Sequence, residues 1–196
     1  FTPRATENEP QPTATRVLLA ARLLWDKGLA EYVEAAKMVL ALNPRVRFLL
    51  AGTPDDGNPA AVPLVAVQTW VQEGVLEWLG HVEDMSALLN TVNLMVLPSY
   101  REGLPKSLIE AAASGIPLIT TDVPGCREVV ENGVSGLLVH PHDAHALANA
   151  ITRLLGDPAY AFELGKAARA KALLEFDQRI IIRRTMDVYS ELIEDA

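Results

Sequence analysis

Two stretches of this sequence set charged residues beside glycine at spacings that suit an anionic ligand. The first is Arg22-Leu23-Leu24-Trp25-Asp26-Lys27-Gly28. Two cations and a glycine follow an apolar run there, and backbone N–H groups at a helix start, joined by Arg and Lys, hold anions. A solvated turn closed by Gly28 would read the same way. The second is Pro98-Ser99-Tyr100-Arg101-Glu102-Gly103-Leu104-Pro105-Lys106-Ser107-Leu108-Ile109-Glu110. Gly103 lets backbone approach a ligand, and Pro105 suits a first helical turn. Glu102 precedes that helix, and Glu110 lies roughly 9–10 Å further along it at 1.5 Å per residue. Carboxylates so separated cannot share one proton or one metal, but they can hydrogen-bond diols at the two ends of an extended ligand. Leu108, Ile109, Ala111, Ala112 and Ala113 crowd Glu110, so a partner is expected for it. A third loop, Thr120-Thr121-Asp122-Val123-Pro124-Gly125-Cys126-Arg127-Glu128, reads as a helix start capped by Asp122 or a threonine.

These loops need a frame that brings them together. Apolar runs begin near residues 16, 46, 75, 94, 117 and 136, and amphipathic stretches separate most of them. Leu29, Val33, Ala36 and Leu40 share one helical face, and Asn43-Pro44 ends that helix. Further helices are expected over 64–73, 83–89 and 104–114, then about 143–155, 159–175 and 178–193. Continuous apolar strands alternating with helices predict an α/β fold: a six-stranded, doubly wound parallel sheet with helices on both faces. Ligands of such sheets bind at the carboxyl ends of the strands, near a topological switch point. The loops singled out above all fall at that edge.

Composition narrows the function classes. The 196 residues are 49 % hydrophobic and 21 % charged, which is globular composition. A net charge of −8 argues against nonspecific nucleic-acid binding. The single cysteine, Cys126, excludes an intrachain disulfide and reads as a small packed residue suited to a reducing compartment. No apolar run is long enough to span a bilayer. The opening Phe1-Thr2-Pro3-Arg4 lacks the apolar core of a signal peptide and an initiator Met, so a piece of a longer protein is expected. Residues 1–14 read as an extended arm and 15–196 as one domain. His140, His142, His145 and Asp143 hint at a metal site. They are read instead as a strand-to-helix junction with Asp143 in the first turn. Trp70 and Trp78 fall on core positions. Lys166, Arg169, Lys171, Arg179, Arg183 and Arg184 give the last two helices a basic bias that anionic lipid could meet. Interleaved acids (Glu163, Glu175, Asp177, Asp187) favour a solvated face.

Arg22-x4-Lys27-Gly28, Glu102-x7-Glu110 within PSYREGLPKSLIEAAASG, and TTDVPGCREVVENGVSGLLV together resemble the retaining glycosyltransferase family four, whose enzymes have the two-domain GT-B fold. The match is to the C-terminal, donor-binding half. In finer detail it resembles bacterial enzymes of cell-surface polysaccharide and lipid-linked oligosaccharide assembly. The resemblance implies transfer of a sugar, with retention, from a nucleotide-sugar, UDP-linked by expectation, to an acceptor hydroxyl. It implies that Arg22 and Lys27 bind the donor diphosphate and stabilise charge on the leaving group. Glu110 would hold the ribose hydroxyls, and Glu102 would lie at the sugar. Gly103 and Leu104 would offer N–H groups to phosphate. The loops at Ala51-Gly52 and Gly80-His81-Val82 would read the base through backbone contacts. No metal or other cofactor is implied, in keeping with the lack of an Asp-x-Asp triplet. The acceptor, a glycan or lipid-linked sugar, would be read by an N-terminal domain that this sequence lacks. A cytoplasmic site, peripheral to the inner membrane face, is expected. One departure is Pro105, which stands where many members carry a second glycine and brings no N–H; Lys106 is the candidate to compensate. The alternatives are a noncatalytic α/β nucleotide- or sugar-binding module and a GT-B-like nucleotide-sugar epimerase. The cations at the first strand end oppose the acidic cluster a receiver module would need.

Overall fold

The computed structural model describes residues 14–55 and 57–177, with positions 179, 182, 186 and 189 beyond. The arm expected over 1–14, residue 14 apart, and the helix expected over about 178–193, those four positions apart, lie outside the described residues.

Six strands form one sheet: β1 (Arg16–Ala20), β2 (Arg47–Ala51), β3 (Glu77–Gly80), β4 (Leu94–Leu97), β5 (Leu118–Thr121) and β6 (Leu137–Val139). Their order is β3-β2-β1-β4-β5-β6, and every neighbouring pair is parallel. The doubly wound α/β sheet expected from the sequence is therefore the observed one. The chain runs outward from β1 to β3, then returns to lay β4 on the other side of β1. That reversal opens a crevice between the carboxyl ends of β1 and β4.

The helices are α1 (Leu29–Leu42), α2 (Leu64–Gln72), α3 (Met85–Leu89), α4 (Lys106–Ala113), α5 (Pro124–Val129), α6 (Ala144–Gly156) and α7 (Pro158–Glu175). Strand residues alternate between two cores, because successive side chains point to opposite faces. Val17, Leu19, Phe48, Leu50, Leu94 and Val96 pack under α1 and α6. Leu18, Ala20, Leu49, Ala51, Met95 and Leu97 pack against α4, α5 and α7. Burial on both faces explains why these strands read as unbroken apolar runs.

Small differences from expectation have local causes. Helix α4 starts at Lys106, with Pro105 as its N-cap (φ −73°, ψ 103°) rather than a helical residue. Helix α5 starts after Val123 with no side-chain cap: Asp122 instead pairs with Arg127 at 2.8 Å. Asp143 is the N-cap of α6, where its carboxylate accepts from the Ala146 N–H at 2.8 Å. Trp78 is half-buried, and its indole N–H donates to the Gly52 carbonyl at 2.9 Å. On α7, Lys166 and Lys171 pair with Glu163 and Glu175, and Arg169 turns inward to donate to the Ala113 carbonyl. Among the described residues, no helix is long and apolar enough to cross a membrane.

Candidate functional site

A cleft of about 380 Å³ opens at the carboxyl ends of β1, β2 and β4. That is at the low end of the range of ligand sites, about 300–1,000 Å³. Its floor is made of small residues, Ala20, Ala21, Ala51 and Gly52, which leave room between the strand ends. Arg22, Lys27, His81, Val82, Glu102, Leu104 and Glu110 all reach this one cleft. Of the residues the sequence offered to the diphosphate, sugar, ribose and base, Gly80 and Gly103 are not on its wall.

The loop after β1 is held against the loop after β4. The Asp26 carbonyl accepts from the Tyr100 N–H at 2.8 Å and the Ser99 hydroxyl at 2.9 Å. Gly28 has φ 71°, and a Cβ there would lie 2.1 Å from the Pro98 carbonyl oxygen. Only glycine satisfies both the left-handed backbone and that approach. The loop after β4 is backed in turn by α5. A Cβ on Gly125 would lie 2.1 Å from the Gly103 oxygen and 2.5 Å from the Glu102 oxygen. Sequence reasoning missed this role of Gly125, for which the signal was a glycine inside the first turn after Val-Pro. A Cβ on Gly103 would meet nothing within 4 Å.

Each cation in the cleft holds a carboxylate. Lys27 Nζ is 2.6 Å from Glu102 Oε1, with both side chains largely buried (16 % and 11 % exposed). Arg22 is more exposed and meets Asp55 at 2.7 Å. Asp55 also accepts from the Asn58 amide, a pairing that the sequence did not reveal. Lys106 is fully out in solvent except for its contact with Glu110 Oε1 at 3.4 Å, one helical turn away. Exposed pairs such as Arg22–Asp55 contribute only about 0–1 kcal/mol, so an incoming anion can recruit the arginine at little cost. The buried Lys27–Glu102 pair fixes the relative placement of the two loops more firmly.

The start of α4 adds donors. The N–H groups of Gly103, Leu104, Lys106 and Ser107 find no acceptor among the described residues. Pro105 contributes none, as expected from its ring. Orphan N–H groups at a helix start, with a cation on each side, make an anion site. The opposite end of the cleft differs from expectation. The Gly52 N–H already donates to the Gly80 carbonyl at 2.7 Å, and its own carbonyl takes the Trp78 indole. Gly52 has no N–H left for a base, which leaves the second lone pair of its carbonyl beside His81 and Val82 on that wall. Cys126 is buried beneath the loop, as expected of a packed residue, and burial pushes its thiol up.

Comparison with known proteins places these features in a wider set. The family description "Glycosyl transferases group 1" matches residues 14–157. An N,N'-diacetylbacillosaminyl-diphospho-undecaprenol alpha-1,3-N-acetylgalactosaminyltransferase of Campylobacter jejuni is 35 % identical over 180 residues, covering 92 % of this chain. The chain spans 46 % of that enzyme, about half the length of the curated relatives it matches. Among solved structures, the sucrose-phosphate synthase of Thermosynechococcus elongatus superposes with a TM-score of 0.83 at 32 % identity, over 100 % of this chain and 50 % of its own. The Anabaena protein HepE in complex with UDP gives 0.81 at 26 % identity, over 91 % of this chain and 49 % of its own.

Proposed function

The chain belongs to the family of glycosyl transferases group 1, and from that premise we propose that it forms the donor-binding half of a retaining glycosyltransferase of bacterial surface-glycan assembly. The donor is a nucleotide-sugar, and UDP is the favoured carrier because the Anabaena structure holds UDP. The observation that carries this reading is the cleft at the β1/β4 crevice. There Arg22, the Lys27–Glu102 pair, Glu110 and the orphan N–H groups of Leu104, Lys106 and Ser107 border one ligand-sized space.

The division of labour follows from the chemistry. Arg22 and Lys27, with the Gly103 and Leu104 N–H groups, hold the diphosphate and stabilise the charge that grows on it as its bond to the sugar breaks. Lys106 stands beside the same helix start and supplies positive charge where Pro105 offers no N–H. Glu110 accepts from the two ribose hydroxyls, a task for a carboxylate with several lone pairs, of which the 3.4 Å contact with Lys106 takes up one. Glu102, held by Lys27, presents its second oxygen to the donor sugar. His81 and Val82 border the base. No residue of this set calls for a metal ion, since the cations already supply the positive charge. A second domain, of the kind that fills the other half of the relatives' length, would read the acceptor hydroxyl, and transfer takes place between the two.

Glu110 gives a direct test. Wild-type chain is expected to bind UDP about 10- to 100-fold more tightly than 2′,3′-dideoxy-UDP, since hydrogen bonds to a charged group contribute about 1.5–3 kcal/mol. Glu110→Ala is expected to erase that preference by weakening UDP alone. A preference that survives in the variant would remove Glu110 from the ribose.

A further inference from the structure

Three residues outside the cleft converge on the loop that carries Glu102. Glu31 lies in the first turn of α1, Tyr100 in the loop after β4, and His142 between β6 and α6. The Tyr100 hydroxyl donates to Glu31 Oε2 at 2.6 Å. His142 Nδ1 lies 3.6 Å from the other oxygen, Glu31 Oε1. The His142 ring rests on the Tyr100 ring, with centroids 3.7 Å apart and planes tilted by 36°. Glu31 is largely buried, and a buried carboxylate needs such partners. Burial and the Glu31 hydrogen bond push the Tyr100 phenol far above its ordinary value, so it remains a donor throughout the working range.

His142 is the one non-glycine residue with positive φ among the described residues, at 61°. That backbone is unfavourable for a residue with a Cβ and persists only where surrounding contacts over-determine it. Here the contacts are the Tyr100 ring and the Glu31 carboxylate. Tyr100 is thereby fixed twice, by its side chain and by its N–H on the Asp26 carbonyl. Two residues on, Glu102 meets Lys27.

We propose that Glu31, Tyr100 and His142 form a bracket that positions Glu102, so that His142 and Tyr100 govern recognition of the donor's sugar while leaving its nucleoside diphosphate to other residues. None of the three lines the cleft, so they are positioning residues. The proposal rests on the donor-site reading above.

The test uses His142→Gly, whose backbone suits φ 61°, and Tyr100→Ala, with Tyr100→Phe as the conservative variant that keeps the ring. Two quantities are read in the full chain. One is exchange without ligand of the loop amide at position 100, whose N–H donates to the Asp26 carbonyl. The other is affinity for UDP against UDP-glucose, UDP-N-acetylglucosamine and UDP-N-acetylgalactosamine. The expected result is exchange about tenfold faster in His142→Gly and Tyr100→Ala, UDP affinity near wild type, and loss of the wild-type ranking among the three sugars, since small displacements of a positioned group cost recognition. Tyr100→Phe is expected to recover most of both. Unchanged loop exchange overturns the bracket. Faster exchange with UDP and UDP-sugar affinities falling together also overturns it, because that is a purely structural effect. Wild-type chain that binds none of the four ligands contradicts the donor-site reading instead, and accelerated loop exchange in the variants would then still support the bracket as what holds Glu102.

Discussion

Lys27→Ala is expected to lower affinity for a nucleoside diphosphate by about 100-fold or more, the largest loss of any single side chain in the cleft. One contribution is the charge-assisted contact to phosphate, about 1.5–3 kcal/mol, or roughly 10- to 150-fold. A second is the residue left behind. Glu102 is 11 % exposed and 2.6 Å from the lysine nitrogen, so the variant strands a buried carboxylate beside the incoming phosphates. Breaking a buried pair from one side costs about 3–5 kcal/mol; with both groups here slightly open, a loss of stability towards the lower figure is expected. The double variant Lys27→Ala, Glu102→Gln separates the two effects. It should recover much of the stability, read by denaturant unfolding, without recovering affinity, read by calorimetric titration. Full affinity in Lys27→Ala would take the lysine out of the phosphate site.

Gly125→Ala is expected to damage the same site from behind. Its new Cβ would sit 2.1 Å from the Gly103 oxygen and 2.5 Å from the Glu102 oxygen. Both are backbone atoms in a loop held at Asp26 and Tyr100, so neither can swing aside as a side-chain tip could. Overpacking costs about 1–3 kcal/mol, and the backbone contact puts this case at the upper end. For a domain of this size that lowers the melting temperature by about 6–12 °C. The relief of the clash moves Glu102 and the N–H groups that follow it, and a misplacement of about 1 Å costs on the order of 100-fold in a positioned site. Gly103→Ala is the internal comparison for stability, because its Cβ meets nothing within 4 Å. Equal melting temperatures for the two variants would show that α5 does not brace the loop.

The contrast between these glycines marks what the sequence could and could not reveal. Gly103 stands beside Glu102 in a charged loop, and that setting drew the eye to it, yet its space is open. Gly125 lies in a six-residue helix with no side-chain cap and too few residues to show a period, so nothing local announced its packing against another loop. The strands were legible for the opposite reason. The inner strands β1, β4 and β5 are buried on both faces, so continuous apolar runs report them directly, and their alternation with helices implied the doubly wound parallel sheet; the order that places the crevice at β1 and β4 came from the structure. Arg22, Lys27, Glu102 and Glu110 could be brought to one edge from that topology alone. Their carboxylate partners could not all be foreseen. Asp55 belongs to a long polar loop whose path is set by bonds from Leu23 and Trp25 to the Thr53 and Ala60 carbonyls. His142 lay in a segment first suggestive of a metal, and its contact with Tyr100 depends on a backbone angle that histidine rarely adopts. Gly52 shows a limit of the same kind: the sequence offered its backbone to a base, and the fold spends its N–H on the Gly80 carbonyl and one lone pair of its carbonyl on Trp78.

The central claim is that the crevice binds the nucleoside diphosphate of a sugar donor. It is tested most directly by calorimetric titration of the wild-type chain with UDP, GDP, ADP and CMP, beside the double variant Arg22→Ala, Lys27→Ala. The account predicts saturable binding of one nucleoside diphosphate, UDP, and none measurable in the double variant of unchanged fold. Binding of UDP that survives the double variant, or a folded wild-type chain that binds none of the four, would contradict it.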